Sequence, residues 1–290
     1  MSAPRDATQA DRRDRLRSPP DVRTGLPSFT AMVVASARAV ADVDAYAESL
    51  VPRPLGPALA ALRGSRVARL LSFGLVDHLE LPTRAIDDVI AQVAAPQLVV
   101  LGAGLDSRAY RMSALANAIV FEVDHPATQA FKRARASSLT RAAREIRFVG
   151  VDFERDDLGE RLGASGHDPA KPTSWVWEGV TPYLTEEAVD ATLGVIAQRS
   201  ARRSTLVMTY VTPELATIPR ALRPFVQPGF RLLGEDLRGL VTRERAAALV
   251  RRNGFELATD EGTAELARRY GLREPHLVIP ERVLVATRLP

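Results

Sequence analysis

The stretch from Leu98 to Arg108 constrains the fold of this chain more than any other. Its first four residues, Leu98 to Leu101, are apolar and predict a strand that is buried on both faces. The strand leads into Gly102-Ala103-Gly104, a turn in which the backbone can approach a ligand closely. The residues from Asp106 to Met112 can then open a helix. This combination is typical of the nucleotide-binding entry to an open α/β sheet, although a Gly-x-Gly turn also occurs in ordinary helix–strand packing.

A strand followed by a crossover repeats along the rest of the chain. Apolar and often β-branched runs predict seven strands, at Leu98–Leu101, Ala118–Val123, Ile146–Val151, Ser174–Trp177, Thr205–Tyr210, Phe255–Thr259 and Arg282–Thr287. Helical patterns at 127–144, 185–199 and 242–252 lie between them. The first five strands are roughly 20 to 30 residues apart, which fits right-handed βαβ crossovers. The predicted fold is therefore α/β, with a seven-stranded and mostly parallel sheet.

The segments that flank these repeats differ from them in composition. Residues 1–25 alternate Arg, Asp and Pro with few large apolar side chains, so they are predicted to be a disordered leader. Residues 26–95 are predicted to form a helical preamble, in which Pro82 is the first-turn residue of the last helix. Together 26–290 form one predicted domain. Residues 212–235, rich in proline and too long for a plain connection, are predicted to form a lid after the fifth strand.

Composition narrows the class of protein. The chain has 290 residues, 46% of them hydrophobic, no cysteine and a formal charge of +4. Its arginines are interleaved with acids and aromatic residues are few, so no basic stacking face for nucleic acid is expected. The four histidines are far apart, which does not indicate a metal site, and no apolar run is long enough to span a bilayer. A cytoplasmic protein without membrane or nucleic-acid partners is expected, and its oligomeric state is not predicted.

Acidic side chains follow three successive strands. Asp124 follows the second strand, Asp152 the third, and Glu178 the fourth. Because the carboxyl ends of parallel strands share one edge, we expect these acids to lie beside the glycine turn. The first can accept hydrogen bonds from two ribose hydroxyls, and the others can accept from an adenine amino group or pair with an ammonium. The alternative is that each acid only caps the helix that follows it.

The turn itself favours one class of nucleotide. Ser107 stands where a dinucleotide-binding turn has its third glycine, and the carboxylate of Asp106 would repel a pyrophosphate. A ligand with ribose, adenine and positive charge but no phosphate fits better. S-adenosylmethionine has these groups. A dehydrogenase that tolerates Ser107 and a protein that binds S-adenosylmethionine without turnover remain alternatives, whereas the absence of Gly-x-Ser-x-Gly argues against a serine hydrolase.

Four motifs in order carry a resemblance to a known family. They are Gly-Ala-Gly-Leu-Asp-Ser-Arg-Ala-Tyr-Arg at 102–111, Phe-Glu-Val-Asp-His-Pro at 121–126, Val-Asp-Phe at 151–153 and Trp-Glu-Gly-Val-Thr-Pro-Tyr-Leu at 177–184. With these motifs the chain resembles the leucine carboxyl methyltransferase-like family of class I S-adenosylmethionine-dependent methyltransferases, over about residues 28 to 288. The resemblance implies a Rossmann-like class I methyltransferase fold, an O-methyltransferase activity and S-adenosyl-L-methionine as cofactor.

The resemblance also implies roles for individual residues. Gly102 and Gly104 would hold the methionine part of the cofactor, and Asp124 would bind the ribose. Asp152 and Phe153 would frame the adenine, and Glu178 would lie beside the cofactor. An arginine of the preceding helix grips the methionine carboxylate in this family, and Arg84 is the candidate here.

The methyl acceptor is less defined by the sequence. A carboxylate acceptor needs no base, whereas a phenol or alcohol needs one. Tyr183, Tyr210 and Glu178 are candidates for contact with the acceptor, but both tyrosines are also compatible with ordinary packing. His125 can serve as a base, although its position before Pro126 favours a capping role.

The predicted lid adds an indication about the acceptor. It carries two aromatic residues and three arginines, at Phe225, Phe230, Arg220, Arg223 and Arg231. Such residues suit a flat or apolar molecule with an anionic group, although arginines that only face solvent explain the pattern equally well. The resulting hypothesis is O-methylation of a small organic acid or acidic phenol, with carboxylate slightly preferred.

Overall fold

The computed structural model describes residues 29–72, 74–153, 155–213, 238–275 and 279–289. The predicted leader lies outside these residues. So do residues 214–235 of the predicted lid, with its phenylalanines and arginines. Among the described segments, no helix is long and apolar enough to cross a membrane.

One sheet organises the described residues. Its seven strands are β1 (Gln97–Leu101), β2 (Ile119–Asp124), β3 (Glu145–Gly150), β4 (Thr173–Trp177), β5 (Thr205–Val211), β6 (Phe255–Gly262) and β7 (Glu281–Arg288). They lie in the order β3-β2-β1-β4-β5-β7-β6. The first five strands pair in parallel, and β7 runs antiparallel to both of its neighbours. The predicted Rossmann-like fold with a seven-stranded, mostly parallel sheet is confirmed.

Helices cover both faces of the sheet. They are α1 (Phe29–Ala41), α2 (Ala47–Leu50), α3 (Gly56–Leu62), α4 (Arg66–Leu71), α5 (Leu75–Val93), α6 (Arg108–Arg111), α7 (Pro126–Ala136), α8 (Leu158–Ala164), α9 (Glu186–Gln198), α10 (Arg243–Arg252) and α11 (Thr263–Tyr270). One apolar layer joins α1, α5 and α11 to strand residues such as Val100 and Val176. The other joins α8, α9 and α10 to Leu101, Trp175 and Trp177. Successive strand residues thus alternate between two cores, as the period of two requires.

The prediction that Pro82 stands in the first turn of a helix is wrong. Helix α5 begins seven residues earlier and contains Pro82 in its interior. The proline nitrogen has no hydrogen to donate to the carbonyl of His78, which interrupts the ladder of helical hydrogen bonds. Val76 before the proline and Ile86 after it are both buried. Packing of this apolar face therefore keeps the turns before Pro82 helical despite the lost hydrogen bond.

The helix predicted at 127–144 ends at Ala136. Beyond it, the backbone N–H groups of Ala142 and Ala143 donate to the carbonyl of Ala109, at 3.0 and 2.9 Å. The backbone N–H groups of these residues are thus satisfied by the segment after β1, and the helix does not continue. The pairing is a tertiary contact that periodicity in the sequence does not reveal.

The register of the strands fixes which residues share the carboxyl edge. Leu101 of β1 lies opposite Val123 of β2 and Trp177 of β4. The next residues along these three strands are Gly102, Asp124 and Glu178, which therefore lie at one level of the sheet. On β3, Gly150 pairs with Asp124, and Asp152 follows two residues later.

Candidate functional site

The glycine turn after β1 is tightly constrained. Gly102 and Gly104 have φ angles of +66° and +46°, a region that favours glycine. The N–H of Ala103 donates to the carbonyl of Val123 at 2.9 Å, which holds the turn against β2. A Cβ atom built on Gly102 would overlap the side chain of Val180, in the segment after β4. Glycine is therefore required at this position by both backbone conformation and space.

Asp124 connects the turn to the end of β2. Its Oδ2 accepts from the N–H of Gly104 at 2.5 Å, and its Oδ1 accepts from the N–H of His125 at 2.6 Å. Burial raises the pKa of this carboxyl, although both backbone hydrogen bonds act against that rise. The ring Nδ1 of His125 accepts from the N–H of Ala127 at 3.2 Å. His125 therefore caps α7, which is the role that the sequence favoured for it.

Five charged side chains meet beside the turn and form what we call the edge cluster: Arg38, Asp87, Asp106, Arg108 and Glu178. Nη2 of Arg38 lies 2.5 Å from Oε1 of Glu178, and Nη1 of Arg108 lies 2.9 Å from Oε2 of the same carboxylate. Nη1 of Arg108 is also 2.5 Å from Oδ2 of Asp106, and its Nε is 2.7 Å from Oδ1 of Asp87. The cluster carries three acids against two guanidinium groups, and a third guanidinium, that of Arg111, pairs with Asp87 from outside it at 2.6 Å.

Arg108 is the centre of this cluster. Its side chain is 1% exposed, and two of its three nitrogens are engaged by carboxylates. Its Nη2 has no hydrogen-bond partner within the described part of the chain. An unsatisfied donor in a buried site is costly, so a ligand with an oxygen acceptor would be stabilised there.

The arginines control the ionisation of the acids in the edge cluster. Burial alone would raise the pKa of Asp106, but the positive charges of Arg108 and Arg38 outweigh it and hold that pKa well below its ordinary value. Burial likewise opposes ionisation of Glu178, and the same two arginines lower its pKa. Both acids are therefore carboxylates at neutral pH, fixed in place by guanidinium groups.

The variant Asp106→Asn is expected to destabilise the fold more at pH 6 than at pH 3. The folded-state pKa of Asp106 lies below the value of about 3.9 of an unfolded aspartate. The contribution of its charge to stability is therefore complete above that value and is lost as the pH falls through the folded-state pKa. Urea unfolding of both proteins should show the difference narrowing by about 1 kcal/mol at pH 3. A difference that widens at pH 3 would contradict the pairing.

Asp152 and Phe153 lie beyond the end of β3. The N–H of Asp152 donates to Oδ2 of Asp156 at 2.9 Å, which closes a tight turn. Phe153 is 45% exposed. A ring exposed beside the carboxyl edge offers a flat surface on which a base can stack.

Arg84 lies apart from the edge cluster. Its Nε donates to Oε1 of Glu80 at 2.7 Å, and its side chain is 45% exposed. Oε2 of Glu80 pairs with Arg69 of α4. The arginines that reach the carboxyl edge are instead Arg38 and Arg108, and the sequence reasoning assigned a role to neither. A useful signal was available at Arg38, which interrupts an otherwise apolar, alanine-rich helix.

The two tyrosines named as acceptor contacts differ in placement. Tyr210 is 1% exposed, and its hydroxyl donates to Oδ2 of Asp260 at 2.7 Å. Burial, followed by the hydrogen bond to Asp260, raises its pKa. Its ring belongs to the core formed with α8, α9 and α10, which fits the packing alternative. Tyr183 ends the short 3₁₀ turn Thr181–Tyr183 after β4 and is partly exposed.

Comparison with known proteins assigns the matched part of the chain to one family model. The model, described as leucine carboxyl methyltransferase, matches residues 31–197, more than half of the chain. The matched part contains the glycine turn, Asp124, Asp152 and the whole edge cluster.

Relatives with similar sequences carry names that assign them to S-adenosyl-L-methionine-dependent methyltransferases. The chain is 34% identical over 236 residues to one from Saccharopolyspora erythraea, which covers 77% of this chain and 80% of the relative. It is 35% identical over 198 residues to one from Streptomyces coelicolor, covering 62% of this chain and 68% of the relative. A third, from Mycolicibacterium smegmatis, is 38% identical over 200 residues, covering 62% and 64%.

Solved structures share the fold at low sequence identity. A methyltransferase from Thermobifida fusca superposes with a TM-score of 0.59 and 17% identity, covering 94% of this chain and 99% of the other. A DUF574 family protein from Streptomyces avermitilis gives a TM-score of 0.59 and 15% identity, covering 91% and 98%. At these identities the likeness shows the fold alone.

Proposed function

Because the chain belongs to the leucine carboxyl methyltransferase family and is an S-adenosylmethionine-dependent methyltransferase, we propose that it transfers the methyl group to a carboxylate or hydroxyl oxygen of a small organic acceptor. The main structural support for the site is that Gly102, Asp124 and Glu178 lie at one level of the sheet, at its carboxyl edge. The alternative of a dinucleotide-dependent oxidoreductase is not supported, since the matching family model and the named relatives are methyltransferases.

The residues of the edge fit this cofactor. The free Nη2 of Arg108 is a donor suited to the methionine carboxylate. Phe153 offers an exposed ring for the adenine. When bound, S-adenosylmethionine supplies an electrophilic methyl group on a positively charged sulfur.

Asp124 is the proposed ribose ligand. Each oxygen of its carboxylate accepts one backbone N–H, from Gly104 and His125. A carboxylate has about four acceptor sites, so further hydrogen bonds from ribose hydroxyls can be added. The two backbone bonds fix the orientation of the carboxylate before the ribose arrives, which lowers the entropic cost of binding.

Arg108 is better placed than Arg84 for the methionine carboxylate. It is the first residue of α6, the helix that follows the glycine turn, and its Nη2 has no hydrogen-bond partner among the described residues. Arg84 is paired with Glu80, and its role stays a prediction. Asp152 and Phe153 are proposed to frame the adenine. Glu178, held by Arg38 and Arg108, is proposed to place negative charge beside the cofactor.

The variant Asp124→Ala is expected to bind S-adenosylhomocysteine about 5- to 150-fold more weakly. The substitution leaves the ribose hydroxyls without their acceptor, which corresponds to a loss of about 1–3 kcal/mol. Isothermal titration calorimetry measures the change. Asp168→Asn is the matched control, because Asp168 lies near the opposite edge, where its backbone carbonyl accepts from Gln97 at the start of β1. Equal affinity of Asp124→Ala and wild type would remove Asp124 from the site.

Tritium-labelled S-adenosylmethionine is used to identify the atom that receives the methyl group. Panels of small carboxylic acids and phenols serve as acceptors. A methyl ester releases labelled methanol in mild base, whereas an aryl ether keeps its label. Transfer to nitrogen, carbon or sulfur acceptors, with both oxygen panels unlabelled, would contradict the proposed O-methylation.

A further inference from the structure

His78 carries a buried nitrogen that the site described above does not use. The residue lies in the first turns of α5 and is 1% exposed. Its Nε2 lies 3.1 Å from Oε2 of Glu281, the first residue of β7. Its Nδ1 is buried and has no hydrogen-bond partner among the described residues. Since buried polar groups are almost always satisfied, this nitrogen calls for an explanation.

The contact with Glu281 determines which nitrogen carries the hydrogen. An ionised carboxylate only accepts hydrogen bonds, so Nε2 must donate to it. In the neutral imidazole the other nitrogen, Nδ1, then presents a bare lone pair. The pair Glu281–His78 thus holds an oriented imidazole with its basic nitrogen unoccupied.

Helix α5 places this imidazole along the same edge as the cofactor site. From Asp87 the helix contacts Arg108, which follows β1. From Thr83 it contacts Arg38, whose guanidinium also binds Glu178 after β4. From His78 it contacts Glu281, which pairs with Val211 at the carboxyl end of β5. The helix therefore crosses the carboxyl edge from β1 to β7.

The order of these contacts along the sheet indicates from which side of the glycine turn the methyl acceptor approaches the cofactor. The proposed adenosine contacts, Asp124 and Asp152, follow β2 and β3, on one side of the glycine turn. The transferred methyl group is on the opposite part of the cofactor from the adenine. On this arrangement we expect the acceptor to approach over β4 and β5, next to Glu281 of β7, which pairs with Val211 of β5.

We propose that His78 is the general base of the reaction, that Glu281 orients it, and that the acceptor is accordingly a hydroxyl group of a phenol or enol. The inference rests on the proposed function and narrows it. A carboxylate acceptor is already ionised and has no use for a base, whereas a hydroxyl must lose its proton during attack.

The proton and electrons balance in one step. The O–H bond of the acceptor breaks and its proton goes to Nδ1 of His78. The oxygen forms a bond to the methyl carbon while the bond from that carbon to sulfur breaks, and sulfur keeps the electron pair. The carboxylate of Glu281 stabilises the imidazolium through Nε2–H, and the proton later leaves to water.

Among the described residues, Glu281 is the charged group that contacts the imidazole. The other charged groups near this end of α5 are paired among themselves: Asp77 and Glu80 with Arg69 of α4, and Asp260 of β6 with Arg282 of β7. The position of the hydrogen on His78 is therefore governed by Glu281.

The first experiment reads the tautomer directly. The full-length protein is labelled with ¹⁵N in its histidines, and two-bond ¹H–¹⁵N correlations show which ring nitrogen carries hydrogen. The spectrum of His78→Gln assigns the His78 signals among the four histidines. We expect hydrogen on Nε2 and a bare Nδ1, with this preference lost in Glu281→Leu, which has no acceptor for Nε2–H. Hydrogen on Nδ1 in the wild-type protein would overturn the proposal.

The second experiment measures transfer of labelled methyl to the panels of phenols and carboxylic acids. In His78→Gln, kcat/KM for hydroxyl acceptors should fall by about 10²- to 10⁴-fold, because glutamine cannot take the proton. The dissociation constant for S-adenosylhomocysteine should change less than about twofold, since His78 is not among the residues proposed to bind the cofactor.

The control is His167→Gln, another buried histidine, which contacts Thr173 at the start of β4. At temperatures below its melting temperature, this variant should transfer methyl groups at the wild-type rate. Methylation of carboxylic acids with equal rates in wild type and His78→Gln would overturn the role of His78 and leave the proposed function standing. A wild-type protein that binds S-adenosylhomocysteine but labels neither panel would overturn both.

Discussion

Replacement of Arg108 by methionine is expected to lower the free energy of unfolding by about 3–5 kcal/mol. The substitution keeps a long apolar side chain but removes the positive charge that pairs with Asp87, Asp106 and Glu178. Asp87 would keep its pair with Arg111, but Asp106 and Glu178 would be left in a buried site with Arg38 as the remaining guanidinium of the edge cluster. Removing one partner of a buried pair costs more than the pair itself contributes, because the remaining charges stay desolvated.

Urea unfolding at neutral pH measures this loss, and Arg161→Met is the control. Arg161 also makes a pair, at 2.8 Å from Asp156, but its side chain is 53% exposed. A pair in that environment contributes about 0–1 kcal/mol. Adding Glu178→Gln to Arg108→Met should restore part of the stability, because it removes one unpaired charge. A loss in Arg108→Met no larger than in Arg161→Met would show that the edge cluster does not stabilise the fold.

The alignment of the acids along the sheet edge could be predicted from the sequence because it depends on local patterns. Continuous apolar runs mark buried parallel strands, and the residue after each run falls at the carboxyl edge. Gly102, Asp124 and Glu178 follow such runs directly. The register observed between β1, β2 and β4 brings them to one level. What the sequence left undetermined is which groups complete the site around them.

Those groups come from helix packing, which sequence patterns do not encode. Arg38 reaches Glu178 across 140 positions of the chain because α1 lies against α5. The contact from His78 to Glu281 spans 203 positions. Both depend on α5 continuing through Pro82, where the sequence predicts the first turn of the helix. The role suggested for Arg84 shared this uncertainty, because its direction depends on how α5 sits on the sheet.

Tyr210 shows a second limit of prediction from the sequence, which concerns the face of the sheet on which a strand residue lies. In this case the sequence does contain the information needed. Its position near the end of β5 suggests contact with a ligand, but side chains alternate along a strand. Met208 and Tyr210 belong to the core with α8, α9 and α10, whereas Val207 belongs to the core with α1 and α5. The parity of a residue along its strand therefore predicts its face as soon as one neighbour has been assigned.

The variant Gly102→Ala is expected to lower the free energy of unfolding by about 2–5 kcal/mol and to abolish measurable binding of S-adenosylhomocysteine. Part of the loss is backbone strain, because an L-residue at a φ of +66° costs about 1–2 kcal/mol. The rest, about 1–3 kcal/mol, comes from overlap of the new Cβ with the side chain of Val180. Relief of that overlap must move the turn, and with it the N–H of Gly104 that binds Asp124. The residues proposed to bind the ligand are then displaced, and binding is lost.

Gly271→Ala separates these two effects. Gly271 follows α11 with a φ of +63°, and a Cβ built there meets no atom within 4 Å, so the variant carries the backbone strain without the overlap. It should lose about 1–2 kcal/mol and bind S-adenosylhomocysteine as the wild type does. Adding Val180→Ala to Gly102→Ala should recover the part of the loss that comes from overlap, because the clashing methyl groups are gone. Equal losses in Gly102→Ala and Gly271→Ala, with unchanged affinity in both, would show that Val180 does not constrain the turn.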